Sequence, residues 1–127
     1  PPRPLRPSRR VRVRLIRDPS HPAFNPAAGQ CGLFARRPLP RGAWVLDYTG
    51  VVTAGGAEDR ASDYVSDFGE AGELALDAGR VGNEARFVND YRNTGRRPNV
   101  EFRTRRDRWG ALRQGVYVSA KEGVAAG

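Results

Sequence analysis

The chain has 127 residues, 39% hydrophobic and 28% charged, with 22 Lys+Arg against 14 Asp+Glu and a net charge of +8. That length suits one small domain with a single modest core, because two domains would each be too short to stand alone. No stretch approaches the roughly 18 consecutive apolar residues of a membrane-spanning helix. One cysteine, Cys31, and one histidine, His21, exclude an internal disulfide framework, an all-cysteine zinc site, a histidine metal cluster and the usual acyl-transfer triads.

The charge is unevenly distributed. Of the 22 basic residues only Lys121 is a lysine, and arginine suits bidentate pairing with carboxylate or phosphate, although a GC-rich genome produces the same bias. Residues 1–17 contain seven arginines and no acid, residues 47–90 contain ten acids and three arginines, and residues 92–113 return to eight arginines. A basic edge beside an acidic middle makes an internal dipole whose acidic part would attract a cationic partner. Solvated faces can look the same.

Residues 1–10 (PPRPLRPSRR) read as a basic Pro/Arg-rich arm, and the missing apolar region means that they are not a secretory signal. Val11–Ile16 alternates with period two, as a half-exposed strand does. The stretch from Asp18 to Gly29 is loop, and Cys31–Ala35 is a short apolar strand entered by a glycine turn. Pro38–Gly42 is a turn, since Pro40 sets φ and Gly42 can take a positive φ. Ala43–Tyr48 is a strand interrupted by Gly50, and Val51–Thr53 continues it or starts the next. The spacing of Ala57, Ala61, Tyr64, Val65 and Phe68 predicts one helix over residues 57–68. Leu74–Asp77 reads as a short strand and Asn83–Val88 as a partly apolar turn. Asn93–Pro98 reads as loop, with Arg97 facing solvent. Val100–Thr104 and Val116–Val118 read as strands, and Glu122–Gly127 as a turn. Fifteen glycines and ten prolines among short strands point to a mostly β domain, without a phosphate loop, dinucleotide fingerprint or repeat.

Four local patterns occur in order: GQCGLFARRPLPRGAWVLDYTG (29–50), SDY (62–64), DAGRVGNEARFVND (77–90) followed by Pro98-Asn99, and GVYVSAKEGVAAG (115–127). Together they resemble the SET-domain family of protein-lysine methyltransferases. In that family a "GLFA" segment precedes "GxxVxxYxG", then "ARFxNH" and "PN", then a strand ending in a "xxGEEL" turn. The resemblance covers residues 29–127. It implies a SET fold over residues 11–127 with small curved β-sheets, a short helical insert and a knot-like C-terminal segment.

The resemblance also implies S-adenosyl-L-methionine as cofactor and no metal. Gln30, Cys31 and Gly32 match the family's glycine motif, with Gln30 standing where the first glycine is usual; a residue without Cβ lets the backbone approach a ligand. Arg86, Asn89 and Asp90 match the "ARFxNH" run, with Asp90 in place of the histidine. Asn89 can both donate and accept, which suits an ammonium beside a carboxylate, and an asparagine in a semi-apolar run is costly unless satisfied. Tyr64 matches an aromatic near the cofactor and the lysine path, and Tyr48 matches the tyrosine that borders the active site. Tyr48 and Tyr64 are thus the catalytic candidates, and Gln30, Cys31, Gly32, Tyr64, Arg86, Asn89 and Asp90 the cofactor-binding ones. Tyr64 and Phe87 would also serve as core aromatics, and Tyr117 is expected to pack.

The implied activity is protein-lysine N-methyl transfer, with a histone tail as the expected substrate and a nuclear location if the source is eukaryotic. The family's closing tyrosine lies beyond the point where this sequence ends, so the 127-residue form is expected to be inactive or poorly active. The basic arm could add sequence-blind, salt-dependent DNA contacts. A non-catalytic SET-like module that binds protein or nucleic acid is the alternative.

Overall fold

The computed structural model describes residues 6–54, 64–69 and 74–127, which form eight strands in three small antiparallel sheets. β1 (Val11–Leu15) pairs with β2 (Cys31–Ala35), setting Val11 opposite Ala35 and Leu15 opposite Cys31. The alternation holds at the start of β1, burying Val11 and exposing Arg12 and Arg14, while Leu15 at its end is exposed. β3 (Trp44–Asp47), β7 (Val100–Arg106) and β8 (Leu112–Val118) form the second sheet, with β8 in the centre. β4 (Val51–Ala54), β5 (Val65–Phe68) and β6 (Leu74–Asp77) form the third, with β6 in the centre. Gly50 therefore separates two strands that belong to different sheets. The described helical element is a short 3-10 helix, Glu84–Phe87.

One part of the sequence reading changes. The last four residues of the stretch read as a helix over residues 57–68 form strand β5, while Ala57 and Ala61 lie outside the described residues, as do residues 1–5 of the arm. The register explains it: Ser66 lies opposite Leu76 and Phe68 opposite Leu74, so the segment completes the hydrogen bonding of β6. Phe68 is buried while Asp67 is exposed, which is period-two placement. A helical spacing of apolar residues is a weak prior that strand pairing overrides here.

The core lies where the three sheets meet. Val45, Leu46 and Tyr48 come from β3 and the residue after it, Leu76 from β6, Ala85 from the 3-10 helix, and Val116 and Val118 from β8. Val116 and Val118 are wholly buried, as the central strand of a small sheet requires. Gln114 is the exception, a polar side chain only 5% exposed. Its amide nitrogen donates to the carbonyl of Asp67 at 3.0 Å, and its oxygen accepts from Thr104 Oγ1 at 2.8 Å, so the second and third sheets are joined by a satisfied polar group.

The C-terminal segment is anchored to the body. Leu39 and Val124 exchange two backbone hydrogen bonds of 2.8 Å, and Gly127 N–H donates to Ala35 O at 2.9 Å. Gly123 bends this segment at φ +76, and a Cβ there would lie 3.3 Å from Pro40 Cα.

Gly50 is tightly enclosed, because a Cβ there would sit 2.7 Å from the backbone carbonyl carbon of Asp77 and 2.8 Å from Leu76 Cδ2. Backbone cannot yield as a flexible side chain can. Gly50→Ala is expected to lower unfolding stability by roughly 1–3 kcal/mol in urea titration. Arg41→Ala at the exposed turn should leave the midpoint unchanged.

Candidate functional site

The residues singled out in the sequence fall into two groups. The first is a corner where the start of β2 meets the segment that leaves the 3-10 helix. Asn89 Nδ2 donates to the Cys31 carbonyl at 3.2 Å, and Asn89 Oδ1 accepts from Gln30 Nε2 at 2.8 Å. Gly32 sits beside them: a Cβ there would lie 3.3 Å from Asn89 Nδ2, 3.1 Å from Phe34 Cε2 and 3.3 Å from Ile16 Cδ1. The glycine's role is thus close approach and not a positive φ. After these bonds Asn89 still has one amide hydrogen and one acceptor lone pair to offer.

Gly32 and Asn89 line a cavity of about 210 Å³ that also takes in His21, Phe34, Val88, Asp90, Tyr91, Thr94, Arg96, Arg97 and Asn99. Asp90 is exposed, and its Oδ1 accepts from Arg92 N–H at 3.0 Å and Arg92 Nε at 3.2 Å. The backbone hydrogen bond from Arg92 holds the Asp90 carboxyl below its ordinary value of 3.8. Arg97 is exposed as expected, yet it also lines the cavity, which a loop assignment alone does not foretell.

The second group is built around Tyr48, which is 6% exposed. Its hydroxyl donates to the Tyr64 carbonyl at 2.7 Å, and Ala78 N–H donates to the same carbonyl at 3.0 Å. The Tyr48 ring meets Phe102 edge-on, with centroids 5.4 Å apart. Arg86 lays its guanidinium over the Tyr64 ring at 4.2 Å and lies 5.6 Å from the centre of Phe87. Arg86 is therefore placed with the tyrosines, and it is not among the residues lining the cavity. Burial raises the Tyr48 phenol above its ordinary 10.0; Asp77 adds to the shift and Arg86 opposes it.

Asn83 ties the 3-10 helix to the end of β3. Its Nδ2 donates to the Asp47 carbonyl at 2.6 Å, while its Oδ1 caps the 3-10 helix by accepting from Ala85 N–H at 3.2 Å. An asparagine just before Glu84-Ala85-Arg86 is a recognisable capping signal. His21 and Arg96 have no such signal, because loop residues carry no periodicity to say which cavity they reach, whereas Asn99 belongs to the Pro98-Asn99 pair that follows the third motif. Tyr117 is half-buried under Arg103, as a packing residue. Among the described residues no group of three or more His, Cys, Asp and Glu could hold a metal, and no helix is long and apolar enough to cross a membrane.

The SET-domain family model matches residues 30–127, and the chain belongs to the SET-domain family. Solved structures share its fold. One is described as ctPRC2 in an autoinhibited conformation bound to S-adenosylmethionine: TM-score 0.65 and 20% identity over 96% of this chain and 14% of that one. Another is the Chaetomium thermophilum polycomb repressive complex 2, with TM-score 0.64 and 21% identity over 92% of this chain and 14% of that one. A third is KRYPTONITE in complex with mCHH DNA, an H3(1-15) peptide and SAH, with TM-score 0.58 and 21% identity over 80% of this chain and 20% of that one. The chain thus spans a fifth or less of the length of these solved chains. No curated protein sequence matches it significantly.

The raised phenol of Tyr48 has a measurable consequence. A group whose folded pKa lies above its unfolded value contributes stability fully below the unfolded value, and loses it as pH rises through the folded one. Unfolding stability is therefore expected to fall as pH rises past 10.0. Tyr48→Phe should flatten that part of the fall, at the cost of about 1 kcal/mol at neutral pH for the lost hydrogen bond. Denaturant titrations at a series of alkaline pH values check both.

Proposed function

We propose that this chain is the catalytic domain of an S-adenosyl-L-methionine-dependent protein-lysine N-methyltransferase that acts on a histone tail. The observation that carries the reading is the Gln30–Gly32 corner bound to Asn89 at the edge of a cavity, within a chain whose family match runs from residue 30 to 127. Support for the substrate class comes from relatives of the same fold: the KRYPTONITE structure holds an H3 peptide and SAH. The residues present suit the cofactor. Gly32 leaves a space that any Cβ would fill, and Asn89 retains both a donor and an acceptor for a zwitterion.

In this reading Gln30, Cys31, Gly32 and Asn89 hold the amino-acid end of the cofactor, and Asp90 contributes at the outer edge of the same cavity. S-adenosyl-L-methionine, when bound, supplies an electrophilic methyl group. Tyr48 and Tyr64 border the lysine path, and Arg86 serves by keeping the Tyr64 ring in place. Tyr48 Oη keeps its proton at neutral pH and spends it on the Tyr64 carbonyl, so it positions that backbone and does not act as a base. The substrate amine, with an ordinary pKa of ~10.4, must arrive neutral, and a desolvating, aromatic-lined path favours loss of its proton. Rate then comes from alignment and from preorganised dipoles.

The test is mass-spectrometric detection of methyl-lysine on a histone mixture, with this chain and with the full-length gene product. Transfer to lysine by the full-length protein is the expected result. A folded, cofactor-loaded full-length protein that methylates nothing would favour the non-catalytic module instead. Asn89→Ala should weaken S-adenosylhomocysteine binding by roughly tenfold or more in calorimetry, since it removes a ligand and unpairs Gln30 and Cys31. Arg108→Ala, which lies over Trp109 in the β7–β8 hairpin, should leave binding unchanged.

A second, compatible property is sequence-blind contact with nucleic acid, and with it a nuclear location in a eukaryote. Arg12 and Arg14 are exposed side by side on the outer face of β1, where phosphates could reach both. Deleting residues 1–17 would remove β1 itself, so charge reversal is the informative change. Arg12→Glu with Arg14→Glu should reduce retention of duplex DNA at low salt, and the difference should vanish as salt rises.

A further inference from the structure

His21 is the one histidine of the chain, and no role described so far uses it. It stands in the connection between β1 and β2, where its N–H donates to Asp18 O at 3.0 Å and its carbonyl accepts from Phe24 N–H at 2.9 Å. Its ring is fixed as well. Nδ1 accepts from Ala23 N–H at 3.1 Å, and a ring nitrogen that accepts carries no proton, so the neutral imidazole holds its hydrogen on Nε2. The ring is tilted by 57° to Phe34, with centroids 6.2 Å apart.

This half-buried ring forms part of the wall of the cavity that Gly32 and Asn89 also line. Phe34 bridges the two sides, since its Cε2 is the atom nearest to a Cβ placed on Gly32, at 3.1 Å. The neighbour of Asn89, Asp90, cannot supply a donor: its carboxylate only accepts, and Arg92 already occupies it. The cavity wall thus includes a histidine whose Nε2–H is not used by the hydrogen bonds of its own loop.

We propose that His21 is a cofactor-binding residue, donating from Nε2–H to an acceptor atom of the S-adenosyl ligand. The inference rests on the methyltransferase reading and adds to it a contact from a different loop.

The sole histidine makes the test clean. In protein labelled with ¹⁵N-histidine, the Nε2 signal should move on titration with S-adenosylhomocysteine, with the same Kd as calorimetry gives. His21→Ala should lose roughly fivefold to tenfold in affinity, the worth of one hydrogen bond, and His21→Gln should recover part of it. If the ligand binds but the ring signals stay still and His21→Ala binds as tightly as wild type, the proposal is overturned. Should His21→Ala fail to fold, the wild-type titration alone decides. A wild type that binds no S-adenosylhomocysteine overturns the underlying reading instead, and the two failures are told apart by that single measurement.

Discussion

The side-chain amide of Asn89 joins segments 58 and 59 residues apart, donating to the Cys31 carbonyl and accepting from Gln30. Both ends of one planar group are used, so its orientation is fixed from two directions, and with it the path of the chain leaving the 3-10 helix. Gly32 makes the junction possible. A side chain there would occupy the space between Asn89, Phe34 and Ile16. The loop after Asn89 then has to curve around the cavity mouth, where Asn93 at φ 61 and Gly95 at φ 70 take up the bend.

Around Tyr48 the same economy of polar groups holds. Its buried hydroxyl would cost stability unpaired, and it is paired with the Tyr64 carbonyl, which Ala78 N–H uses as well. This connects the end of β3 to the start of β5 and the end of β6, three points in two sheets. Arg86 then covers Tyr64 from the 3-10 helix. Asn83 fixes that helix to β3 through the Asp47 carbonyl, and the side chain of Asp47 pairs with Arg105 at 2.8 Å on the outer face of the second sheet. A chain with three small sheets has little core in any one of them. Such polar ties between sheets do what a larger apolar interior does elsewhere.

The basic balance of the chain is distributed in a way that fits these requirements. Several arginines are committed locally: Arg10 over Trp44, Arg103 over Tyr117 and beside Glu101, Arg105 on Asp47 and Arg113 on Asp107. The stems and planar heads of Arg10 and Arg103 cover aromatic surface while remaining in water. Arg12 and Arg14 are exposed on β1, and Arg14 lies over Phe34 at 5.1 Å. An arginine stacked on a ring keeps its full charge, so the ion-paired ones are those least available to a partner.

Much of this protein could be read from its residues. Period-two alternation marked Val11–Ile16, one residue longer than the strand found; the apolar run marked Cys31–Ala35, and the ordered motifs from residue 29 onward identified the family, because glycine positions and the ARFVN run reflect close backbone approaches that few residue types satisfy. The strand at Val65–Phe68 was not legible, since four residues with Tyr64 fit a helical stripe as well as a strand, and only the open hydrogen bonds of β6 decide between them. Nor could local pattern divide the site residues, sending Arg86 to the Tyr64 ring and Asn89 to the Gly32 corner, or bring His21 and Arg97 to one cavity. Those placements depend on contacts between distant segments, and periodicity reports only which face of its own element a residue occupies.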